Sequence, residues 1–287
     1  NNTITFTQQY LIMRTQGYKP DVFGNIRSSF KKKKQTGQKL MPDVSQVWRY
    51  PIKSHGREEL SSVAVTAGET LPWDRTWAVA HEASDADGTT WAPCQNFSRG
   101  SKAPRLMAIS TNFDEATGVM TLKHPDLQDL SFNPDHEQQK FLDWAGPLVP
   151  ADRAQSTRLV RSKQNGLTDT DYPSISIGNL ASHRAVCQKF GRDLSIARWR
   201  GNIWIDGLAP WEEFDWLGKQ LKIGSAIFEV RERVIRCMAT TANPETGQRD
   251  ADTLGTLDTW GHRDFNVYAV AVSSGTINLG DKVRVML

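Results

Sequence analysis

The amino-acid sequence predicts a mainly β protein of the α+β class with a few short helices. Short apolar or alternating segments recur at intervals of roughly 8–12 residues with turn residues between them, which is typical of all-β domains. Residues 180–190 alone combine an apolar helical face with capping residues at both ends. The 287 residues are long enough to bury a core without disulfide or metal staples. This pattern favours barrels or sandwiches over alternating β–α units.

The first half of the chain is predicted to form short strands. They are residues 44–50, 60–65, 76–80, 106–111, 119–122 and 130–132. The turn sequence DEATG at residues 114–118 predicts a hairpin between the fourth and fifth of these strands. Pro134, Pro147 and Pro150 punctuate the next stretch, and we therefore expect a domain boundary near residue 145.

The second half begins with the best helix candidate. Asn179 can cap residues 180–190 and Gly191 can end them. A shorter helix is expected at residues 211–217. The remaining predicted strands are residues 194–197, 203–205, 221–223, 227–234, 267–272 and 282–285.

The basic charge of the chain is concentrated at its start. Residues 1–40 carry a net charge of +7, whereas the remainder carries −4. The globular part therefore gives no support for nucleic-acid binding. A vector-derived or misannotated leader, a basic tail that touches RNA or an anionic membrane, and a transit peptide remain open interpretations of residues 1–40.

Several other classes of protein lack their sequence signals. No phosphate loop, dinucleotide fingerprint or C-x-x-C pair is present, and the six histidines show no metal-ligand spacing. The longest aliphatic and aromatic run, residues 267–272, is far shorter than the roughly 20 residues of a membrane span, so no integral membrane segment is expected. Three cysteines cannot form a disulfide framework, which favours a reducing compartment and a cytoplasmic location.

One cysteine stands in a distinctive context. Cys237 follows the predicted strand 227–234, next to Arg236 and close to Arg233. Electropositive neighbours favour the thiolate, the form that binds soft metals. A buried structural cysteine is the alternative interpretation.

Cationic residues cluster at three places. If residues 198–200 are extended, Arg198 and Arg200 lie on one side of a strand and can grip one anion together, with the Asn202 amide beside them. Lys53 and Arg75 add cations at the ends of two further strands. Together with Cys237, these clusters predict a polyanionic ligand that also uses sulfur.

Two series of motifs carry a family resemblance. RWRGNI at residues 198–203, WLGKQLKIG at 216–224 and RCMATTANPETG at 236–247 resemble the MOSC domain. YPIKS at 50–54, DRTWAV at 74–79 and APRLM at 103–107 resemble the β-barrel domain that precedes MOSC in the branch with the mitochondrial amidoxime-reducing component and its bacterial relatives. The resemblance implies an N-terminal β-barrel-like domain at residues 41–145 and a MOSC β-barrel domain at residues 146–287, after the extension at 1–40.

The resemblance also implies a cofactor. This is the molybdenum cofactor, one molybdenum on a single pterin dithiolene, with Cys237 as metal ligand and catalytic residue; pyridoxal phosphate is not expected. The positions that match cofactor contacts are Lys53, Ser54, Arg75, Ser174, Arg198, Arg200, Asn202, Thr240 and Thr241. Two departures from the family pattern are Gly201, where the family usually has proline, and residues 90–100.

The implied function is reduction of N-hydroxylated or S-oxidised small molecules by removal of an oxygen atom. A molybdenum-cofactor or sulfur carrier without turnover of its own is the alternative. A nucleic-acid binder is a third hypothesis, and it rests on residues 1–40 alone. A reductase would need an external ferredoxin-, flavodoxin- or cytochrome b5-like carrier and the reductase of that carrier, because the sequence has no other redox-cofactor motif.

Overall fold

The computed structural model describes residues 41–163 and 165–286, and the basic extension at residues 1–40 lies outside the described residues. The described chain is rich in strands and contains short helices, which confirms the predicted mainly β class.

The strands are β1 (Asp43–Arg49), β2 (Glu58–Leu60), β3 (Ser62–Val65), β4 (Trp77–His81), β5 (Ser110–Asp114), β6 (Val119–His124), β7 (Leu127–Phe132), β8 (Ser156–Arg161), β9 (Ile175–Asn179), β10 (Ile203–Asp206), β11 (Gln220–Ile223), β12 (Ala226–Ile235), β13 (Asp264–Ser273), β14 (Gly275–Asn278) and β15 (Val283–Met286). The α-helices are α1 (Gln138–Ala145), α2 (Leu180–Phe190) and α3 (Thr253–Asp258). Single turns of 3₁₀-helix are formed by Cys94–Asn96, Pro104–Ala108, Gly146–Leu148, Ile196–Trp199, Glu212–Trp216 and Met238–Thr241.

The largest sheet has eight strands in the order β15-β11-β12-β13-β9-β10-β1-β2. Adjacent strands in this sheet are antiparallel, except for β9 and β10, which are parallel. The Val44 amide at the start of β1 donates to the Asp281 carbonyl, at 2.9 Å, just before β15. β1, the strand next to β2 at one end of the sheet, is therefore close to the segment before β15 at the other end, and the core of this sheet includes Val47, Ile177 and Phe228.

A second core lies under the three-stranded sheet β5-β6-β7. Trp77 from β4 and Phe141 from α1 are fully buried in it, and β4 pairs with β8 beside it. The amphipathic pattern of β6, with Met120 and Leu122 buried, explains why this sheet covers the cluster on one face.

Three details differ from the sequence prediction. Residues 104–108 and 196–199 form 3₁₀ turns, so two of the predicted strands are wrong there. Pro104 has no amide hydrogen to donate to a strand partner, which favours a turn at this position. The proline-punctuated stretch contains α1, and β8, β9 and β14 were not predicted.

Helix α2 has the predicted bounds and caps. The Asn179 side chain accepts a hydrogen bond from the Ala181 amide at 2.8 Å, and Gly191 ends the helix with a φ of +91°. Glu213 is buried behind this cap and accepts hydrogen bonds from Asn179 and Ser182. Burial raises the pKa of Glu213.

No helix within residues 41–163 and 165–286 is long and apolar enough to cross a membrane.

Candidate functional site

A cleft gathers residues from distant parts of the chain. Its walls come from the turn at residues 53–54, the loop at residues 94–101, the turn at residues 198–200 and the segment at residues 234–240. Most of its charged side chains are cationic: Lys53, Arg75, Arg99, Arg198, Arg200 and Arg236, against the single carboxylate of Asp169. We refer to it below as the cationic cleft.

Lys53 and Ser54 occupy the centre of a tight turn. The His55 amide donates to the Ile52 carbonyl at 3.0 Å, which closes the turn. Ser54, at the third position, has a φ of +63°, as a type II turn requires there. This strained residue lies directly on the cleft, as expected where a functional geometry is imposed on the backbone.

The Lys53 ammonium is already fully hydrogen bonded. It donates to the Leu167 and Thr168 carbonyls at 2.8 and 3.0 Å and to the Asp169 carboxylate at 2.6 Å. An ammonium has three donors, so Lys53 can act on a ligand through its charge but has no hydrogen left to donate. Burial alone would raise the pKa of Asp169, but Lys53, Arg75 and Arg200 lower it to about 2.

Arg75 and Arg200 meet at Tyr50. Both have positive φ, at +53° and +50°, and both guanidinium groups lie over the Tyr50 ring, 4.9 and 4.2 Å from its centroid. Arg75 pairs with Asp74 and donates to the Arg200 carbonyl at 3.1 Å. Burial and the charge of Arg75 lower the pKa of Arg200 to about 10.

Arg198 reaches the cleft from the other side of the turn. It is buried, donates to the Thr241 carbonyl at 3.2 Å and pairs with Asp250. The prediction that Arg198 and Arg200 share one side of a strand is wrong, because Arg198 lies in a 3₁₀ turn and Arg200 ends it in the left-handed region. The tight turn, rather than strand alternation, brings both side chains to the cleft.

Within residues 41–163 and 165–286, two buried guanidinium nitrogens of this cleft have no hydrogen-bond partner. They are Nε of Arg198 and Nη2 of Arg200. Buried polar groups are normally satisfied, and an unpaired one costs about 1–3 kcal/mol. An anion in the cleft would supply the missing acceptors.

Cys237 lies immediately beyond the end of β12. It precedes the 3₁₀ turn Met238–Thr241, and its carbonyl accepts hydrogen bonds from the Thr240 amide and hydroxyl at 3.2 and 3.1 Å. These bonds hold the backbone while the residue stays exposed at the cleft. Of its predicted cationic neighbours, Arg236 lines the cleft, whereas Arg233 packs over Phe214.

Three predicted contact residues do not line the cleft. Asn202 is buried, and its side-chain oxygen accepts from the Ser176 amide at 3.0 Å and from Arg75 at 3.4 Å. Ser174 accepts from the Thr170 hydroxyl, and Thr241 donates to the Met238 carbonyl, each at 2.8 Å. Asn202, Ser174 and Thr241 therefore support the walls of the cleft, whereas Thr240 lines it.

Sequence reasoning missed a pair of hydroxyl groups in the cleft. Ser176 on β9 and Tyr268 on β13 are paired across the two strands, so their side chains share one face of the sheet. Asn266 donates to the Ser176 hydroxyl at 3.2 Å, is fully buried and has a φ of +72°. Its side-chain oxygen has no hydrogen-bond partner in the described part of the chain. Recognition of residues 175–179 as a strand would have placed Ser176 beside the motif residues.

Two further residues of the cleft come from the segment that fits the resemblance poorly. Arg99 and Cys94 both line the cleft, and the Arg99 guanidinium donates to the Cys94 sulfur at 3.1 Å. Asp169 and Trp199 also line the cleft and were not among the predicted cofactor contacts. Trp204 and the half-buried Trp260 pack in the same hydrophobic cluster as Trp199, and neither of them lines the cleft.

The donor set of the cleft defines what it can hold. No group of three or more His, Cys, Asp or Glu side chains in the described chain could bind a metal ion on its own. A metal at Cys237 would therefore need other ligands, and the cationic walls suit an anionic carrier of those ligands.

Two family models match adjoining parts of the chain. Residues 41–171 match the MOSC N-terminal beta barrel domain, and residues 169–284 match the MOSC domain. The chain is therefore a MOSC-domain protein in which the MOSC N-terminal barrel domain comes first.

The chain is similar to one protein over most of its length and to another over a short segment. The molybdenum cofactor sulfurase of Drosophila grimshawi is 27% identical over 246 residues, which cover 78% of this chain and 31% of the sulfurase. A stretch of 33 residues is 91% identical to the membrane protein insertase YidC of Jannaschia sp. strain CCS1 and covers 12% of this chain and 5% of the insertase. The chain thus spans about a third of the sulfurase and a twentieth of the insertase.

Among solved structures, the YUAD protein from Bacillus subtilis is 10% identical, with a TM-score of 0.38 over 85% of this chain and 94% of that chain. YiiM from Geobacillus stearothermophilus is 17% identical, with a TM-score of 0.30 over 39% of this chain and 54% of that chain.

Proposed function

We propose that this MOSC-domain protein is a molybdenum-cofactor-dependent oxidoreductase that reduces N-hydroxylated or S-oxidised small molecules by removing the oxygen atom. One observation carries the proposal: an exposed thiol and two unpartnered, buried guanidinium nitrogens belong to the same cleft. The thiol is Cys237, and the guanidinium groups are those of Arg198 and Arg200. A thiolate ligand and an anion-binding wall are the features that an anionic dithiolene cofactor needs.

The cleft residues fit the cofactor by their chemistry. The free nitrogens of Arg198 and Arg200 suit the phosphate or the dithiolene, and Lys53 adds charge without a donor. Cys237 would complete the sulfur ligation of the metal. Ser54 and Thr240, whose side chains line the cleft, offer hydroxyl contacts.

A bound molybdenum cofactor would supply the two-electron chemistry that removal of an oxygen atom needs, while the residues of the cleft would orient the substrate. Tyr268 lines the cleft, and burial raises the pKa of its hydroxyl. The hydroxyl therefore keeps its proton at neutral pH and can donate a hydrogen bond to the oxygen that leaves the substrate. Arg236 is held by the Phe265 and Trp199 carbonyls, so it contributes a fixed positive charge beside Cys237.

The test is metal and pterin analysis of the purified protein, followed by turnover of benzamidoxime with a chemical reductant. We expect about one molybdenum and one pterin per chain, together with formation of benzamidine. Protein that contains neither metal nor pterin after expression in a molybdenum-replete host would contradict the proposal.

The alternative function is a carrier of the molybdenum cofactor or of sulfur. The similarity to a molybdenum cofactor sulfurase favours it. A carrier would contain the cofactor, or a persulfide on Cys237, and would show no turnover with any reductant. Transfer of its cofactor to an apoenzyme would then be the activity to measure.

Electrons for the proposed reaction would come from a second protein. We expect a ferredoxin-, flavodoxin- or cytochrome b5-like carrier with its own reductase, because the three cysteines are too few for both Cys237 as a metal ligand and a four-cysteine Fe–S cluster. The three free cysteines fit the cytoplasmic location that we expect for such a system.

The division into domains at residues 41–145 and 146–287 also remains a proposal. The matches to the two family models overlap at residues 169–171.

A further inference from the structure

A second pocket lies next to the cationic cleft, and the two share the side chain of Arg99. We refer to it as the Arg99 pocket. Three basic side chains line it, from Arg99, Lys102 and Arg153, and four apolar ones, from Phe97, Ala103, Val149 and Ala154. No carboxylate is among its lining residues.

The positive charges of this pocket are weakly compensated. Arg153 lies 3.6 Å from the carboxylate of Asp152, and 47% and 73% of these two side chains are exposed. A long, exposed pair of this kind contributes little. Neither Lys102 nor Arg99 forms an ion pair within residues 41–163 and 165–286, and the Arg99 guanidinium donates to the Cys94 sulfur.

Two of the three neutral polar side chains of the pocket, those of His81 and Ser98, already have partners, and the third is the exposed side chain of Gln95. The His81 Nε2 atom lies 2.7 Å from the Gln95 carbonyl oxygen, and Nδ1 accepts from the Ala83 amide. The Ser98 hydroxyl forms a hydrogen bond with the Ser156 hydroxyl at 2.7 Å. A ligand would therefore interact with the three cations rather than with these groups.

The floor of the pocket is apolar. Phe97, Ala103 and Val149 are 1%, 2% and 8% exposed. An apolar floor under a cationic rim suits a small organic acid, whose hydrocarbon body packs on the floor while its carboxylate meets the cations. Inorganic anions would gain nothing from the floor.

We infer that the Arg99 pocket binds the carboxylate of a small aromatic or aliphatic acid, and that this acid is part of the substrate that reacts in the cationic cleft. The first half stands on the pocket alone. The second half rests on the proposed function and on the shared Arg99 side chain, which shows that the pocket and the cleft are neighbours.

Binding tests the first half. We expect calorimetry on the full-length protein to show that benzoate binds at least about tenfold more tightly than the neutral isostere benzamide, because hydrogen bonds to a charged partner are the stronger ones. The double variant K102Q/R153Q should lose this preference. The control K219Q/R284Q removes the same charge from exposed positions outside the pocket and should keep it.

Equal binding of benzoate and benzamide would overturn the inference. Unchanged benzoate affinity in folded K102Q/R153Q protein, checked by its melting temperature, would also overturn it.

Kinetics test the second half. We expect the holoprotein to reduce 4-carboxybenzamidoxime with a kcat/KM at least about tenfold above that for benzamidoxime, and K102Q/R153Q to bring the ratio close to one. Equal kcat/KM values in the unaltered protein would refute the link to the substrate. Intact benzoate binding without turnover of either amidoxime would refute the proposed function and leave the carboxylate site standing.

Discussion

The guanidinium carbon of Arg200 lies 4.2 Å from the centroid of the Tyr50 ring. Arg75 lies over the same ring, so two cations are held together in a buried place. Burial raises the pKa of the Tyr50 hydroxyl to about 12, and that hydroxyl is fixed by a hydrogen bond to the Gly201 carbonyl. The neutral aromatic ring thus orients two charges whose natural counterpart is an anion.

Replacement of Arg200 should empty the cleft without unfolding the protein. We expect Arg200→Ala to lower the molybdenum and pterin content at least about tenfold, because charge-assisted hydrogen bonds contribute about 1.5–3 kcal/mol. The melting temperature should change little, since the removed charge is a desolvated one. Arg184→Ala, which removes an exposed arginine paired with Asp206, is the matched control. Normal occupancy with a lower melting temperature would mean that Arg200 serves packing.

Cys237 should be needed for metal binding and not for folding. We expect Cys237→Ser to abolish benzamidoxime turnover while the melting temperature stays near that of the unaltered protein, because a hydroxyl is a poor ligand for a soft metal and the residue is exposed. Metal analysis and thermal unfolding are the two measurements.

The other two cysteines provide the controls for that variant. Cys187→Ser and Cys94→Ser should keep the bound metal, although Cys94 lines the cleft and Cys187 is buried. Loss of metal in Cys94→Ser but not in Cys237→Ser would show that Cys94, and not Cys237, is the metal ligand.

Gly201 is predicted to be sensitive to the smallest added side chain. A Cβ atom there would lie 2.5 Å from Nδ2 of Asn266, the nitrogen that bonds Ser176. We expect Gly201→Ala to destabilise the protein by about 1–3 kcal/mol. Denaturant unfolding measures this.

Gly146 is the matched control for that substitution. A Cβ atom at Gly146 meets nothing within 4 Å, and the residue is helical with a φ of −49°. Gly146→Ala should therefore be neutral or stabilising by up to about 1 kcal/mol. Equal effects of the two substitutions would show that Asn266 moves aside freely.

The stability of the protein should fall in weak acid. Burial lowers the pKa of His55 and of His183 to about 4 in the folded state. Between about pH 6.5 and pH 4 the unfolded chain then binds more protons, so the free energy of unfolding decreases as the pH falls, by up to about 2–3 kcal/mol per histidine.

Unfolding in urea at several pH values checks this slope. His55→Gln should flatten it, whereas His136→Gln, at an exposed position, should leave it unchanged. A free energy of unfolding that stays constant from pH 6.5 to 4 would contradict the burial of both histidines as neutral rings.

Electron supply provides a functional prediction. We expect no turnover of benzamidoxime with NADH or NADPH as sole donor, and turnover once a carrier and its reductase are added. Because redox encounters are weak and steered by charge, the rate should fall as the salt concentration rises. Rapid turnover by the purified protein with NADH alone would reveal a further redox centre in this chain.

Local patterns predicted much of the fold. Alternation placed β1, β11 and β12 within about two residues of their bounds, and the caps at Asn179 and Gly191 placed α2. The strand β9 was missed because all of its residues are buried, so it lacks the alternation of a half-exposed strand. The strand predicted at residues 194–197 failed because Ser195 caps a 3₁₀ turn there.

The site was predicted in part. The family motifs named Lys53, Arg75, Arg200 and Cys237, and all four line the cationic cleft. Asn202 was also named, but its side chain is hydrogen bonded to the Ser176 amide and the Trp48 carbonyl and does not line the cleft. A motif reports that a residue matters and does not report which way its side chain points.

The sequence by itself determined the mainly β class, the capped helix and the positions of the motif residues, because periodicity, caps and motifs are local properties of a chain. Only the tertiary structure decided that Ser176 and Tyr268 stand side by side, that Arg99 joins two pockets and that two arginine nitrogens are left without partners. These relationships join segments far apart in the chain, and they exist only once the packed sheets bring the segments together and exclude water from between them.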